Sequence, residues 1–402
     1  MPSISLTPRP LLSCKAGAPL QSNFAEGPGN TGPSLFPTRA HAPVYPRPVL
    51  PPHLPLLRLL KHTPGSSDIR GYAQAIGHEA QLRLPRGTAP RTIYFGGGTP
   101  SMLSPTHLEL LVCGLRTWLD LTEVQEWSFE TNPATFTAAK VRHWRQLGIN
   151  RVSLGVQSFD TALLRLLGRE HSPADVAGSV QMLREAGIPQ VNIDLMFSLP
   201  GQSLAQWEHS LQAAIELQPD HISTYNLSYE EDTPFFQQYG ATAGNEETDV
   251  AMFTRAEEIL TAAGYRHYEI SNYARPGCES RHNLACWHGE DYCGLGPGAV
   301  GTMNGTRYAN AGDTAAYTAA LQAGQLPPGT AEILDPATRR TELLGLLLRT
   351  DEGLPPHLLR PQDTPFITML QQENLATISA EGRLILTRSG RLVADEIAVG
   401  LI

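Results

Sequence analysis

From about Ser66 the chain alternates between two hydrophobic patterns. Short runs rich in β-branched and aromatic residues, "RTIYF", "EWSFETNP", "NRVSLGVQSF", "VNIDLMFSLP" and "HISTYNLSY", read as strands. Between them lie segments with apolar residues at helical spacing: "SDIRGYAQAIGHEAQLRL", opened by Ser/Asp capping candidates, "SPTHLELLVCGLRTWLDL", "TAAKVRHWRQLG", "ADVAGSVQMLREAG", "LAQWEHSLQAAIELQ" and "ETDVAMFTRAEEILTAAG". Gly148, Gly187 and Gly264 stand where three of these helices should close. Repeated strand–helix units with short links imply parallel strands joined by crossover helices, hence an α/β fold.

Polar residues gather at the C-terminal ends of those strands: Glu130, Gln157, Asp194 and Tyr225, together with three glycines in "IYFGGGTP". In a closed or partly closed β/α barrel such ends share one rim. A doubly wound open sheet also gathers its strand ends, and periodicity fits either. One glycine is enough for a turn. Gly96, Gly97 and Gly98, followed by Thr99 and Pro100, suit a ligand lying against bare backbone, with the Thr99 hydroxyl beside it. The spacing is neither a dinucleotide fingerprint nor a phosphate loop. Glu130 and Asp194 read equally well as structural carboxylates that cap the following helix. With Gln157 and Arg169 on the same rim they point to a polar small molecule, the carboxylates suiting hydroxyls and the Arg169 fork suiting a carboxylate.

The two ends differ from this middle. Residues 1–65 hold 14 of the 33 prolines, one acidic residue and six basic ones, and show no period, so they read as a disordered low-complexity segment. An organellar transit peptide would need an amphipathic helix that these prolines oppose. Residues 66–265 form the barrel-like part. Residues 266–325 include "YEISNYARPGCESRHNLACWHGEDYCGLGPGA", a long stretch read as irregular and for that reason functional. His282 within it is, taken singly, most simply a buried, hydrogen-bonded histidine. Residues 326–402 resemble a small winged-helix-like α+β module: a helix in "RRTELLGLLLRTDEGLP", a hairpin around Glu381–Gly382 and a final amphipathic helix.

Composition removes several function classes. The net charge of -9, from 39 acidic and 30 basic residues without a basic block, gives nucleic acid or an anionic membrane no footprint. No apolar run reaches 18 residues, so no transmembrane segment is expected. Five cysteines, an odd number, fit a reducing, cytoplasmic setting better than a disulfide framework. Cys278, Cys286 and Cys293, spaced C-x7-C-x6-C, match no common zinc or iron–sulfur signature, and no metal ligands or catalytic residues are assigned.

The ordered motifs "YFGGGTPSML", "FETNP", "GINRVSLGVQSFD", "LGREH", "NIDLMFSLPGQ", "HISTYNLSYEEDTPF" and "YEISNYARPGCESRHNL" resemble those of the HemW-type heme chaperones. These are radical S-adenosylmethionine (SAM) proteins related to oxygen-independent coproporphyrinogen III oxidase. The likeness runs from about Asp68 to the C-terminus, over four fifths of the chain. It implies a partial (β/α)6 radical SAM barrel and a heme chaperone that binds heme and delivers it to haemoproteins. It also implies S-adenosylmethionine on the rim, Gly96 to Thr99 receiving its methionine part and Glu130, Gln157, Arg169 and Asp194 its polar groups. His282 and Asn283 match the start of a heme-associated H-N-x-x-Y motif, with Cys286 standing where the motif has Tyr. The resemblance further implies a 4Fe–4S cluster on a C-x3-C-x2-C motif, which should lie some tens of residues before Gly96. This sequence has no cysteine there, and no first barrel strand is legible. Cluster binding is therefore expected to be defective, and residues 1–65 are read as a wrong reading frame or a decayed segment. The alternatives are a coproporphyrinogen III oxidase acting in porphyrin biosynthesis and a non-catalytic degenerate barrel.

Overall fold

Strands β1 (Ser3–Ser5), β2 (Thr92–Phe95), β3 (Glu126–Thr131), β4 (Arg151–Gln157), β5 (Gln190–Phe197) and β6 (His221–Asn226) lie side by side in sequence order, each parallel to the next. The structure, a computed structural model, describes residues 3–5, 66–97, 99–227, 239 and 245–402. Helices α1 (Ser66–Arg83), α2 (Pro105–Arg116), α3 (Ala138–Leu147), α4 (Thr161–Leu166), α5 (Pro173–Glu185), α6 (Leu204–Glu216) and α7 (Glu246–Ala262) connect or follow them. Local chemistry fixes where these helices begin. Ser172 with Asp175 and Ser203 with Gln206 close capping boxes, and Asp160 and Asn245 each accept two backbone N–H groups of the first turn. At the other end of α3, Gly148 takes φ +108°, a left-handed conformation that ends the helix.

One expectation is corrected. The barrel's first strand is not missing: Ser3–Ser5 fills its place, with Ile4 opposite Ile93 of β2. Three residues ahead of a proline-rich run carry no period that a sequence reading can detect. Residues 6–65, read as low-complexity, lie outside the described residues.

Beyond β6 the sheet continues through β8 (Asn272–Ala274) to β7 (Arg266–Glu269), both antiparallel. On the side of β1 it continues through β9 (Tyr292–Gly294), β10 (Val300–Met303), β11 (Thr306–Asn310) and β12 (Gly329–Ile333). The stretch read as irregular thus holds β8, β9 and helix α8 (Arg281–Trp287). These elements are too short for periodicity to reveal. Helix α9 (Thr314–Gln322) packs on α1. The C-terminal part has helices α10 (Pro336–Leu347) and α11 (Thr364–Gln372) and the hairpin β13 (Ala376–Ile378) and β14 (Leu384–Leu386). Two short helices follow, α12 (Arg388–Leu392) and α13 (Ala394–Gly400), where one amphipathic helix was expected. This part has its own core, including Leu344, Leu348, Leu370, Leu384 and Leu401.

The parallel strands have two unlike faces. Ile93, Phe95, Trp127, Phe129, Val152 and Ile193 pack under the helices in the main core. The alternate positions, which point to the opposite face, are polar: Thr92, Glu126, Ser128, Arg151, Asn192 and Ser223 are all buried there. Interior parallel strands are usually apolar on both faces. A polar inner face therefore marks a lumen built to be lined with hydrogen bonds.

A buried carboxylate ties the barrel to the far end of the sheet. Glu79 of α1 is 0% exposed; its Oε1 accepts from Arg83 Nε at 2.7 Å and Asn310 Nδ2 at 2.8 Å, its Oε2 from Gly296 N at 2.8 Å and Tyr317 Oη at 2.7 Å. Glu79→Ala would leave the largely covered Arg83 charge without its acid and three further donors without their acceptor. It should lower the unfolding free energy by about 3–5 kcal/mol, measured by urea denaturation.

Candidate functional site

The shelf begins where β2 ends. A Cβ placed on Gly96 would lie 2.4 Å from Tyr94 Cε1 and 2.7 Å from Glu130 Cδ, so the backbone there rests directly on those two side chains. Gly97 takes φ +95°, and its N–H donates to Glu130 Oε2 at 3.0 Å. The Tyr94 hydroxyl donates to Glu130 Oε1. Gly98 lies outside the described residues. At the next strand end, Asn132 links two expected residues: its Nδ2 donates to Thr99 Oγ1 at 3.4 Å, and its Oδ1 accepts from Arg169 at 2.9 Å. Gly155 lies against this link, since a Cβ there would be 2.8 Å from Asn132 Oδ1 and 3.0 Å from Gln157 Nε2.

Gln157 has φ +69°, next to a bulge between Gly155 and Gln157 in the β4–β5 ladder. A side-chain residue held in the left-handed region costs on the order of 1–3 kcal/mol, and such strain concentrates at functional sites. Asp194 is held from below: Ser153 Oγ donates to Oδ2 at 2.7 Å and Asn192 Nδ2 to Oδ1 at 2.7 Å. Burial pulls the Arg169 guanidinium below its ordinary value, and the Asp194 charge opposes that shift. Arg169 Nε is buried with no hydrogen-bond partner among the described residues.

The structure thus brings Gly96, Gly97, Thr99, Glu130, Gln157, Arg169 and Asp194 to one rim. Asn132 and Tyr94, which support them, did not emerge from the sequence. Their signal was present as the alternation T-x-Y-x-G in β2 and as the residue two beyond Glu130.

His282 and Asn283 sit in α8, on the polar inner face. His282 is 5% exposed; its Nδ1 lies 3.1 Å from Thr92 Oγ1, and its ring stacks on Tyr94 with centroids 5.0 Å apart and planes at 20°. It is the buried, hydrogen-bonded histidine of the plainer reading, placed against the shelf. The Asn283 backbone N–H is capped by Ser280 Oγ at 3.2 Å, and its side chain is partly exposed. The floor of the lumen carries a second buried histidine. His221 Nδ1 lies 2.6 Å from Asn192 Oδ1 and its Nε2 2.7 Å from the Tyr268 hydroxyl. A neutral ring protonated on Nδ1 satisfies both, donating to Asn192 and accepting from Tyr268.

The donor set fits part of S-adenosylmethionine: a bare backbone shelf, hydroxyl and amide groups, and a buried guanidinium suited to a carboxylate. It does not fit a 4Fe–4S cluster. Among the described residues Cys113, Cys278, Cys286 and Cys293 form no disulfide, and no group of three or more His, Cys, Asp or Glu side chains could hold a metal. The remaining cysteine, Cys14, lies outside the described residues. No helix among the described residues is long and apolar enough to cross a membrane.

Residues 74–214 match the radical SAM superfamily. The heme chaperone HemW of Lactococcus lactis is 39% identical over 230 residues, 56% of this chain. That match spans 61% of the Lactococcus protein, about three fifths of its length. The heme chaperone HemW of Bacillus subtilis is 32% identical over 345 residues, covering 83% of this chain and 91% of the relative. The chain belongs to the HemW family. Its fold is that of coproporphyrinogen III oxidase (HemN) from Escherichia coli, a radical SAM enzyme, with a TM-score of 0.71 over 84% of each chain at 21% identity. The HemW relationship and the curled α/β sheet agree with the family and fold expected from the motifs.

Two outcomes follow for this HemW-family site. Gly96→Ala should push Glu130 off the Gly97 amide, so that hydrogen exchange at Gly97 speeds up and stability falls by about 1–3 kcal/mol. The second outcome concerns His221. Burial, then the Arg151 charge, hold its imidazole well below the ordinary 6.5. The unfolded chain binds a proton that the fold refuses, so the stability this ring contributes is present above that value and lost as pH falls below it. Between pH 6.5 and 5.5 the loss should be about 1 kcal/mol, and urea unfolding of His221→Gln should show a correspondingly flatter pH dependence.

Proposed function

We propose that the chain is a heme chaperone of radical SAM type that binds heme and hands it to recipient haemoproteins. The observation that carries this reading is the seating of α8, with the pair His282 and Asn283 that matches the heme-associated motif, on the inner face of the barrel, where His282 stacks on Tyr94 beside Gly96. Asn283 is partly exposed while His282 anchors the helix, so heme would meet the barrel where α8 joins it. The HemW relatives carry the name heme chaperone, which favours this role over the alternatives.

On the rim, Gly96, Gly97, Gly98 and Thr99 would hold the methionine part of S-adenosylmethionine. Arg169 would meet its carboxylate, and Glu130, Gln157 and Asp194 its remaining polar groups. Bound with a cluster, that cofactor supplies radical chemistry; the described cysteines do not fit such a cluster, so no step is assigned to it. An oxidase reading needs that chemistry and is the weaker of the two. The four described cysteines form no disulfide, which suits a reducing, cytoplasmic setting.

Titrating the purified full-length chain with hemin should give a saturable Soret band, weakened in His282→Ala. A spectrum that stays the sum of free hemin and protein would end the heme reading. Anaerobic reconstitution with iron and sulfide should add no 4Fe–4S absorbance. A reconstituted cluster that yields 5′-deoxyadenosine from S-adenosylmethionine would favour the oxidase-type alternative.

A further inference from the structure

His282 is fixed from two directions, and neither involves the surface of the molecule. Its backbone is held by Glu126 of β3, 3% exposed, whose Oε2 accepts from Arg281 N at 2.8 Å and whose Oε1 accepts from His282 N at 3.1 Å and Ser280 Oγ at 3.3 Å. Its ring is held by the Thr92 hydroxyl of β2. The first turn of α8 is therefore nailed to two barrel strands, and the imidazole has one orientation available to it.

That orientation lays the ring on Tyr94. Tyr94 also touches the shelf, because a Cβ on Gly96 would run into its Cε1 at 2.4 Å. At its tip the hydroxyl donates to Glu130, whose other oxygen accepts the Gly97 N–H. The sequence of contacts runs from α8 through His282, Tyr94 and Glu130 to Gly97. An aromatic ring buried to 6% exposure keeps one rotamer only while the groups packed on it stay in place. Removing the imidazole would open a ring-sized gap under Tyr94, let it turn, and take the hydroxyl away from Glu130.

We propose that His282 is a positioning residue of the shelf at Gly96 and Gly97, acting through Tyr94 on Glu130. The proposal rests on the reading of that shelf as a ligand site, but its central test needs no ligand. The residue that matches a heme-associated motif then also sets the geometry of the other ligand's site, which gives the two sites a shared side chain.

The test uses the full chain labelled with 3-fluorotyrosine, the Tyr94 resonance being assigned by its loss in Tyr94→Phe. In His282→Ala that resonance should move, and hydrogen exchange at Gly97 should quicken at least about tenfold. In His282→Phe, which restores a stacked ring, both should return towards the wild type; a merely structural histidine would give no such rescue. Tyr94→Phe keeps the stack but loses the hydroxyl, so it should quicken Gly97 exchange as His282→Ala does, and it serves if His282→Ala does not fold. Unchanged Tyr94 resonance and Gly97 exchange in folded His282→Ala, or unchanged exchange in Tyr94→Phe, would overturn the proposal. Calorimetry with S-adenosylmethionine adds a separate arm, with affinity about five- to tenfold weaker in His282→Ala and recovered in His282→Phe. If the wild type binds none, the shelf reading fails, and the resonance and exchange data still decide the role of His282.

Discussion

Glu126 is the group on which the arrangement of the lumen depends. A carboxylate on an inner strand, almost fully buried, is tolerated only if its lone pairs are satisfied. Here they are taken by Ser128 Oγ, Ser280 Oγ and the backbone N–H groups of Arg281 and His282. Two of those four are orphan donors at the start of α8, which a seven-residue helix has few other means to satisfy. The charge also sits at the positive end of the helix. One acid thus solves two problems, its own burial and the helix terminus, and in doing so fixes a segment far along the chain against β3.

The same logic spreads across the inner face. The Asn192 amide donates to Ser153 and Asp194, accepts from Ser223 and meets His221, so the strand positions that alternate with the apolar core form a hydrogen-bonded floor rather than a second core. A floor of this kind is expensive to disturb, since each lost partner strands a buried polar group. The benefit is orientation: the rim residues above it stand on side chains that cannot easily move.

How much of this the sequence made legible follows from length. The strands and helices from Ser66 onward run six residues or more in most cases, long enough for periods of two and 3.6 to register, and the polar strand ends were visible as interruptions. The short elements outside that regular alternation were not, which is why Ser3–Ser5 was missed and β8, α8 and β9 were read as irregular. Within the long strands the rim acid Glu130 was noticed but Glu126 was not, although E-x-S-x-E shows both on one face. An acid at a strand's end looks like a site, whereas one at its start looks like a boundary. The partnership of His282 with Tyr94 joins residues 188 positions apart in the numbering, and no local pattern encodes it.

The shelf is held by the protein's own bonds, and this decides what it can do without an iron cluster. Glu130 is oriented by Tyr94 and Gly97, Asp194 by Ser153 and Asn192, and Thr99 and Arg169 by Asn132. None of these contacts involves a thiolate, so the rim keeps its shape although the described cysteines lie elsewhere. A preorganised rim loses little conformational entropy when a ligand arrives. Yet carboxylates already engaged by protein donors have less to offer a ligand than free ones would. Arg169 is the contrary case: its guanidinium is partly desolvated, with Nε lacking a partner among the described residues, and a ligand carboxylate would relieve it. Affinity at this rim should therefore depend more on the Arg169 side than on the acids that first drew attention to it.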